Sequence, residues 1–323
     1  MKAIVCNAFG PPEGLAVEDR PEPVAGPGQV VVRHRAWGLN YVDVLMCAGG
    51  YQLRPDLPFV PGLEAAGDVV LLGDGVRGVE IGDRVMTSAR PGAFSDLMAV
   101  DAADALPVPE PFGYAEGAVF RSAYLTAWNA LVHGARLQPG ETLLVHGAAG
   151  GVGLAAVHVG RLLGAIVIAT AGTDAKLEVV RAEGADHVVN YSDGFRDAVK
   201  DLTGGQGVDV IYDPVGGKVA EESLRCMNFG CRVLYIGFTG GEPVQVRSNL
   251  LLIKGATAIG FRAGEIGRRN PGLNEKSMAN LLKLAGAGRL RPHISHRVRW
   301  PDVQAAMAPI RNREVIGKVV MEV

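Results

Sequence analysis

The chain has 323 residues, 48% of them hydrophobic, with 44 glycines and a net charge of −2. That length exceeds one ordinary core, so two domains are expected, and the balanced charge gives no overall attraction to nucleic acid or membrane. No run of about 18 uncharged apolar residues offers a membrane span, and Cys6, Cys47, Cys226 and Cys231 form no C-x-x-C, which excludes a disulfide framework and a four-cysteine zinc lobe.

Met1 to Val5 leads into a strand-like segment with no long apolar signal core, so a soluble, cytoplasmic protein is expected. Short β-like runs follow at Gln29 to Arg35, Gly67 to Leu72, Asp83 to Thr87 and Phe94 to Val100, separated by turns such as Gly73-Asp74-Gly75. An irregular β-rich domain is predicted there. A helix-like segment, Ala123 to His133, then opens a strand and helix alternation. Strands are predicted at Glu141 to His146, Ala165 to Ala171, His187 to Tyr191, Val208 to Asp213 and Cys231 to Ile236. Helices are predicted between them, at Val152 to Leu163, Ala175 to Glu183, Phe195 to Leu202 and Lys218 to Met227. Such alternation predicts an α/β fold with a doubly wound parallel sheet. One more helical pattern, Asn274 to Ala285, and a terminal strand, Val315 to Met321, complete the chain.

Leu143 to Gly153 reads Leu-Leu-Val-His-Gly-Ala-Ala-Gly-Gly-Val-Gly, a strand entering a glycine turn and then a helix. Bare backbone at Gly150 and Gly151 lets peptide N–H groups approach a pyrophosphate, which the helix dipole also favours, and Gly153 lets helix and strand pack closely. Ala148 stands where the G-x-G-x-x-G pattern has its first glycine. No acid ends the second strand to accept from ribose hydroxyls. Gly172, Thr173 and Lys176 instead supply a turn, a hydroxyl and a cation suited to a 2′-phosphate, making NADPH the favoured cofactor. The competing reading makes Thr173 or Asp174 a helix N-cap and Lys176 a solvated charge. From Lys254 to Lys318, 13 Lys and Arg face 4 acids, but the only aromatics there are Phe261 and Trp300 and no nucleic-acid motif accompanies them. A nucleic-acid partner is not expected.

Beside the glycine turn stand Gly38-Leu39-Asn40-Tyr41-Val42-Asp43, Gly49-Gly50-Tyr51, Pro61 to Gly67, Leu125-Thr126-Ala127-Trp128, Asn190-Tyr191, Val208 to Asp213 and Gly317-Lys318-Val319-Val320. Together these resemble the zinc-free NADPH:quinone oxidoreductase (zeta-crystallin-like) family of the medium-chain dehydrogenase/reductases, along the whole chain. The resemblance implies a GroES-like catalytic domain from residues 1–122 and 262–323, a Rossmann domain from 123–261, and a cofactor cleft. Positions where zinc-dependent relatives carry their ligands hold Asn40, Leu63 and Ser122, a poor donor set for zinc. The pair His293 and His296 has no third ligand in the sequence nearby and is read as structural.

The resemblance further implies that Asn40 and Thr126 lie beside the nicotinamide ribose and ring, and that Tyr51 offers a phenol to the substrate. Gly150, Gly151, Val152 and Gly153 match the pyrophosphate turn. Gly172, Thr173, Lys176 and Tyr191 match the adenosine-phosphate pocket, and Arg313 an arginine that reaches the 2′-phosphate in some relatives. Ile236, Gly237 and Phe238 match the segment at the nicotinamide, and Gly260, Phe261 and Arg262 the return over the cleft. Leu45 replaces a tyrosine frequent in the family, which makes the substrate pocket more apolar. The implied activity is hydride transfer from NADPH to a quinone or enone. Reduction of a specific acrylate, enoyl thioester or 2-alkenal stands as an alternative, as does a non-catalytic NADPH- or RNA-binding role. His146 is read as a packed strand residue. A homodimer is implied, with Cys231 to Gly237 and Ala256 to Phe261 as candidate edge strands.

Overall fold

A computed structural model describes residues 1–323. In chain order the elements are β1 Lys2–Cys6, β2 Leu15–Asp19, β3 Gln29–Leu39, α1 Tyr41–Cys47, β4 Glu64–Leu72, β5 Arg84–Ser88, β6 Leu97–Asp101, β7 Leu106–Pro107 and α2 Tyr114–Trp128. There follow β8 Thr142–Val145, α3 Gly151–Leu162, β9 Ile166–Ala171, α4 Asp174–Ala182, β10 His187–Asn190, α5 Arg196–Leu202, β11 Val208–Asp213, α6 Gly217–Ser223, β12 Met227–Tyr235, α7 Ser248–Lys254 and β13 Thr257–Gly260. The chain ends with α8 Ala263–Arg269, α9 Pro271–Gly286, β14 Ile294–Arg299, α10 Val303–Arg311 and β15 Lys318–Glu322. Two compact units result: Met1–Ser122 with Leu282–Val323, and Ala123–Leu281.

In the first unit β14, β15, β3, β4, β5 and β7 lie side by side, and β6 pairs with β3. The long β3 is the spine, antiparallel to β15, β4 and β6. Its core faces bury Val30, Val32, Ala36 and Trp37, and Trp37 stacks on Trp300 with ring centroids 4.0 Å apart. Gly38 ends the spine where a Cβ would overlap the Ala118 carbonyl of α2, so only glycine admits this approach. The strand expected at Phe94 to Val100 starts three residues later: Phe94 is turned into the core, and its N–H bonds to the Pro61 carbonyl at 2.9 Å rather than to a ladder.

The second unit holds six parallel strands in the order β10-β9-β8-β11-β12-β13. Numbered from the first strand of this sheet, that is 3-2-1-4-5-6, the dinucleotide-binding order with its reversal between β8 and β11. The helix expected at Lys218 to Met227 stops at Ser223, and Met227 already belongs to β12, which carries a register shift opposite Val208 and Val210 and bends at Gly230, φ 80°. Because β13 pairs outside it, β12 is an inner strand; Cys231 to Gly237 is therefore no sheet edge, and β13 alone of the two candidates is one. Residues 262–281, expected with the catalytic unit, belong here. Asn274 on α9 accepts from Asn129 Nδ2 at 2.9 Å, and Ser277 Oγ lies 3.3 Å from His133 Nε2, tying α9 to the π-helical turn Asn129–Gly134 that continues α2. No helix is long and apolar enough to cross a membrane.

Candidate active site

In the second unit all six strands run the same way, so their carboxyl ends share one edge, where an open α/β sheet takes its ligand. The glycine turn follows β8 there, Gly172 to Lys176 follows β9, Tyr191 follows β10, Ile236 to Phe238 follows β12, and Gly260 to Arg262 closes β13. At the turn, Gly150 is the N-cap of α3 and brings no side-chain cap to the first-turn N–H groups. A Cβ at Gly153 would overlap the Gly147 carbonyl oxygen. This bare, tightly packed turn fits a pyrophosphate, which would take the uncapped donors. Thr173 is the N-cap of α4, its hydroxyl 3.4 Å from Lys176 N, as the competing reading has it; Lys176 and Tyr191 are half-buried, and a Cβ at Gly172 would lie 3.3 Å from the Tyr191 ring. Phe261 is buried against Gly134, whereas Phe238 and Arg262 are exposed. Thr126 is half-buried on α2.

Two buried groups at this edge make polar contacts that the sequence does not show. His146 is packed, as expected, but also bonded: Ser223 Oγ donates to the Val219 carbonyl at 2.7 Å, so it accepts from His146 Nε2 at 2.6 Å, and His146 Nδ1 accepts from Thr170 Oγ1 at 2.8 Å. Burial pushes its pKa down to about 3, so it is a neutral strut. Asp213, at the end of β11, accepts from the N–H groups of Val215 and Gly216 through Oδ1, at 2.7 and 3.0 Å, while its buried Oδ2 has no partner. Burial lifts its pKa to about 6 against the pull of those two N–H groups.

In the first unit, Asn40 caps α1, and its backbone N–H donates to Asp43 Oδ2 at 2.8 Å. Its side chain joins a buried cluster. Lys318 Nζ donates to Asn40 Oδ1 at 2.6 Å and to Glu64 Oε1 at 2.9 Å, Asn40 Nδ2 donates to Glu64 Oε1 at 3.0 Å, and Ser122 N donates to Glu64 Oε2 at 2.9 Å. Asn40 and Ser122 are thus bridged by a carboxylate that a lysine neutralises, and Leu63, beside them in the sequence expectation, is half-buried and apolar. Tyr51 and Leu45 are half-buried, Tyr51 packing on the core that holds Met46 and Phe59. Arg313 is exposed just past α10 with φ 58°, a left-handed backbone uncommon outside glycine. His296 Nδ1 lies 2.8 Å from Ser295 Oγ, and neither His293 nor His296 belongs to a cluster of three or more His, Cys, Asp or Glu side chains.

Asp43 is fully buried, and its pKa is raised to about 7 from 3.8 by burial, with Glu64 adding to the rise and the Asn40 N–H and Lys318 opposing it. Between those values the folded chain keeps a proton that the unfolded chain gives up, so this carboxyl costs stability as pH rises through the window and the cost levels off above it. Asp43→Asn keeps an oxygen for the Asn40 N–H but cannot ionise. The melting temperature of the wild type should therefore fall relative to Asp43→Asn from about pH 4 to pH 7, by the equivalent of a few kcal/mol at most. Parallel Tm curves across that range would show that Asp43 does not titrate in this way.

Six parallel strands in this order, together with a largely antiparallel β-rich unit, define the nucleotide-binding, medium-chain class. Comparisons agree: a family model described as a zinc-binding dehydrogenase matches residues 151–283, and one described as an alcohol dehydrogenase GroES-like domain matches residues 26–110. The chain belongs to the quinone oxidoreductase-like family of the medium-chain dehydrogenase/reductases. It is 38% identical to quinone oxidoreductase-like protein 2 of Mus musculus, over 99% of this chain and 91% of that one. Among solved structures, Thermus thermophilus quinone oxidoreductase, determined also with NADPH, superimposes with TM-score 0.87 at 33% identity, covering 100% of both chains. Escherichia coli quinone oxidoreductase complexed with NADPH gives TM-score 0.92 at 27% identity, again over 100% of both.

Proposed function

We propose that the protein is an NADPH-dependent reductase that passes hydride to a quinone or another α,β-unsaturated carbonyl without zinc. The observation that supports this reading is the Asn40–Glu64–Lys318–Ser122 cluster: an organic ion pair joins two of the positions that the resemblance matches to zinc ligands, and Leu63, the third, has no donor atom. The description of the matched 151–283 model refers to a segment that contains none of Asn40, Leu63 and Ser122. NADPH supplies the hydride. In this reading Gly150, Gly151, Val152 and Gly153 hold its pyrophosphate, and Gly172, Thr173, Lys176, Tyr191 and Arg313 its adenosine phosphate. Ile236 to Phe238, Gly260 to Arg262, Thr126 and Asn40 seat the nicotinamide, and Tyr51 donates to the acceptor oxygen. An electron-poor acceptor needs orientation and exclusion of bulk water more than a Lewis acid, because the anion formed is already delocalised. The half-buried Leu45, in place of a tyrosine, favours an apolar acceptor within this class.

Loss of NADPH absorbance with a panel of quinones, 2-alkenals and acrylates, in the presence of a strong chelator, tests the reading. Turnover with at least one acceptor, undiminished by chelator, is expected; no turnover, or turnover restored only by added zinc, overturns it. Lys176→Ala should raise the Kd for NADPH by about tenfold and leave NADH within about twofold, the modest size following from a half-exposed charge. Equal losses for both cofactors in fluorescence titrations would remove Lys176 from the phosphate site.

The homodimer is proposed through the free edge of β13. Phe229 on β12, next to β13, and Leu252 and Ile253 on α7, which leads into β13, are 75%, 83% and 67% exposed, large apolar side chains on the elements that flank an unpaired strand. A Cβ at Gly255 would touch the Phe229 ring at 3.0 Å, so this ring lies over the end of α7 and joins the patch. Light scattering should give a dimeric mass for the wild type and a monomeric one for Leu252→Glu combined with Ile253→Glu. A monomeric wild type, or a dimer unaffected by both changes, sinks the assignment.

A further inference from the structure

Three neighbouring strands bring the cluster of the first unit together. β15 pairs with β3 so that Val319 faces Leu39, and β3 pairs with β4 so that Gly38 faces Glu64. Lys318, Asn40 and Glu64 therefore stand side by side, although 278 residues separate Lys318 from Asn40. Lys318 is only 5% exposed and Glu64 only 1%, so the pair is held out of bulk water. Asn40, half-buried, is the member of the three that reaches solvent.

A carboxamide has two flips that differ only by exchange of oxygen and nitrogen, and its neighbours decide between them. Here the ammonium of Lys318 takes Oδ1 and the carboxylate of Glu64 takes Nδ2, at 2.6 and 3.0 Å. The opposite flip would set Nδ2 against three ammonium protons and Oδ1 against a carboxylate oxygen. Glu64 is itself fixed, because its second oxygen accepts from Ser122 N at 2.9 Å, and the Asn40 backbone is fixed by Asp43 at 2.8 Å. Every degree of freedom of the Asn40 side chain is thus set by a charged or backbone partner.

We propose that Lys318 and Glu64 are positioning residues for the reaction: the buried ion pair locks the Asn40 carboxamide in one flip and one rotamer, and thereby fixes which of its atoms faces the nicotinamide and the acceptor. The ion pair does not touch the reacting atoms; it acts through Asn40. This rests on the reductase reading above, which places Asn40 beside the nicotinamide. The consequence is a coupling that a merely structural pair would not show. Removing the lock should matter only while the amide is there to be locked.

The test is a double-mutant cycle between Asn40→Ala and the paired change Glu64→Gln with Lys318→Met, which removes both charges together and leaves neither buried alone. In the otherwise native chain the paired change should lower kcat by about tenfold with KM for NADPH within about twofold, a loss of orientation rather than of binding. In the Asn40→Ala background it should lower kcat by less than about twofold. Lys318→Arg, which keeps a cationic donor, should recover most of the rate. A tenfold loss that persists without the Asn40 amide overturns the proposal. A readout independent of turnover is the Asn40 side-chain amide in the nitrogen-proton spectrum of the protein without cofactor. Its two protons should be widely split and slow to exchange in the wild type, and should collapse toward solvent-exposed values in the chain that carries the paired change. Unchanged resonances overturn the proposal even if the protein reduces quinones. Absence of any turnover in the wild type instead removes the reductase reading, and the amide spectrum still decides whether the ion pair orients Asn40.

Discussion

Gly153→Val is expected to abolish measurable NADPH binding and to destabilise the second unit by about 1–3 kcal/mol or more, through overpacking against rigid neighbours. A Cβ at this position would meet the Gly147 carbonyl oxygen and the Ala148 Cα, the latter at 2.9 Å, and both are backbone atoms of the turn itself. Neither can rotate away as a side chain can, so the start of α3 must separate from the end of β8. Gly160 gives the contrast on the same helix: there the nearest atom to an added Cβ is Leu143 Cδ2, at 2.5 Å, the far end of a flexible side chain. Gly150→Ala separates fold from site. Its Cβ would lie 3.3 Å from the Gly147 oxygen on an extended backbone, φ −79° and ψ 166°, so folding should survive while the bare approach to the phosphates is lost. Fluorescence titration with NADPH, beside thermal melts, measures both. If Gly150→Ala and Gly153→Val each bind NADPH as the wild type does, the turn is not the pyrophosphate site.

Short-range chemistry was legible in the sequence because it is written in neighbouring residues. The strand Thr142–Val145, the glycine turn and α3 lie within about one residue of their expected bounds, since a buried parallel strand is a plain apolar run and the glycines end it. What the sequence hid is what the sheet brings from afar. Lys318 was visible only as a charge between Gly317 and two valines of a terminal strand, and Glu64 as part of Leu63-Glu64-Ala65. Neither spacing nor periodicity says that they meet, 254 residues apart. A lone charge in an otherwise apolar strand was the available signal, because such a charge must find a partner when buried.

The misplaced edge strand and the misplaced domain boundary have the same origin. Alternation of strands and helices gives the order of elements along the chain but not their order across the sheet, so β12 could be taken for an edge when β13 covers it. For α9, the partners that tie it to the second unit are Asn129 and His133, 145 and 144 residues upstream on the turn that prolongs α2. A π-helical turn there leaves no mark in hydrophobic spacing.

Lys318→Met is expected to destabilise the first unit by about 3–5 kcal/mol, the cost of leaving one member of a buried ion pair without its counter-charge. Glu64, 1% exposed, would keep the Ser122 N–H and the Asn40 amide but lose the ammonium that neutralises it, and no other cation donates to it. The methionine fills the space of the lysine stem, so packing changes little and the loss reports electrostatics. Changing both partners is a different perturbation, because Glu64→Gln with Lys318→Met leaves a neutral amide that can still accept from Ser122 N, and it should cost less than Lys318→Met alone. That inversion, two substitutions milder than one, is the signature of a desolvated charge pair rather than of lost volume. Denaturant unfolding of the three chains measures it through the midpoint at constant m. If the double change is as damaging as the sum of the single ones, the pair is not desolvated, and the locking of Asn40 loses the rigid low-dielectric frame on which it depends.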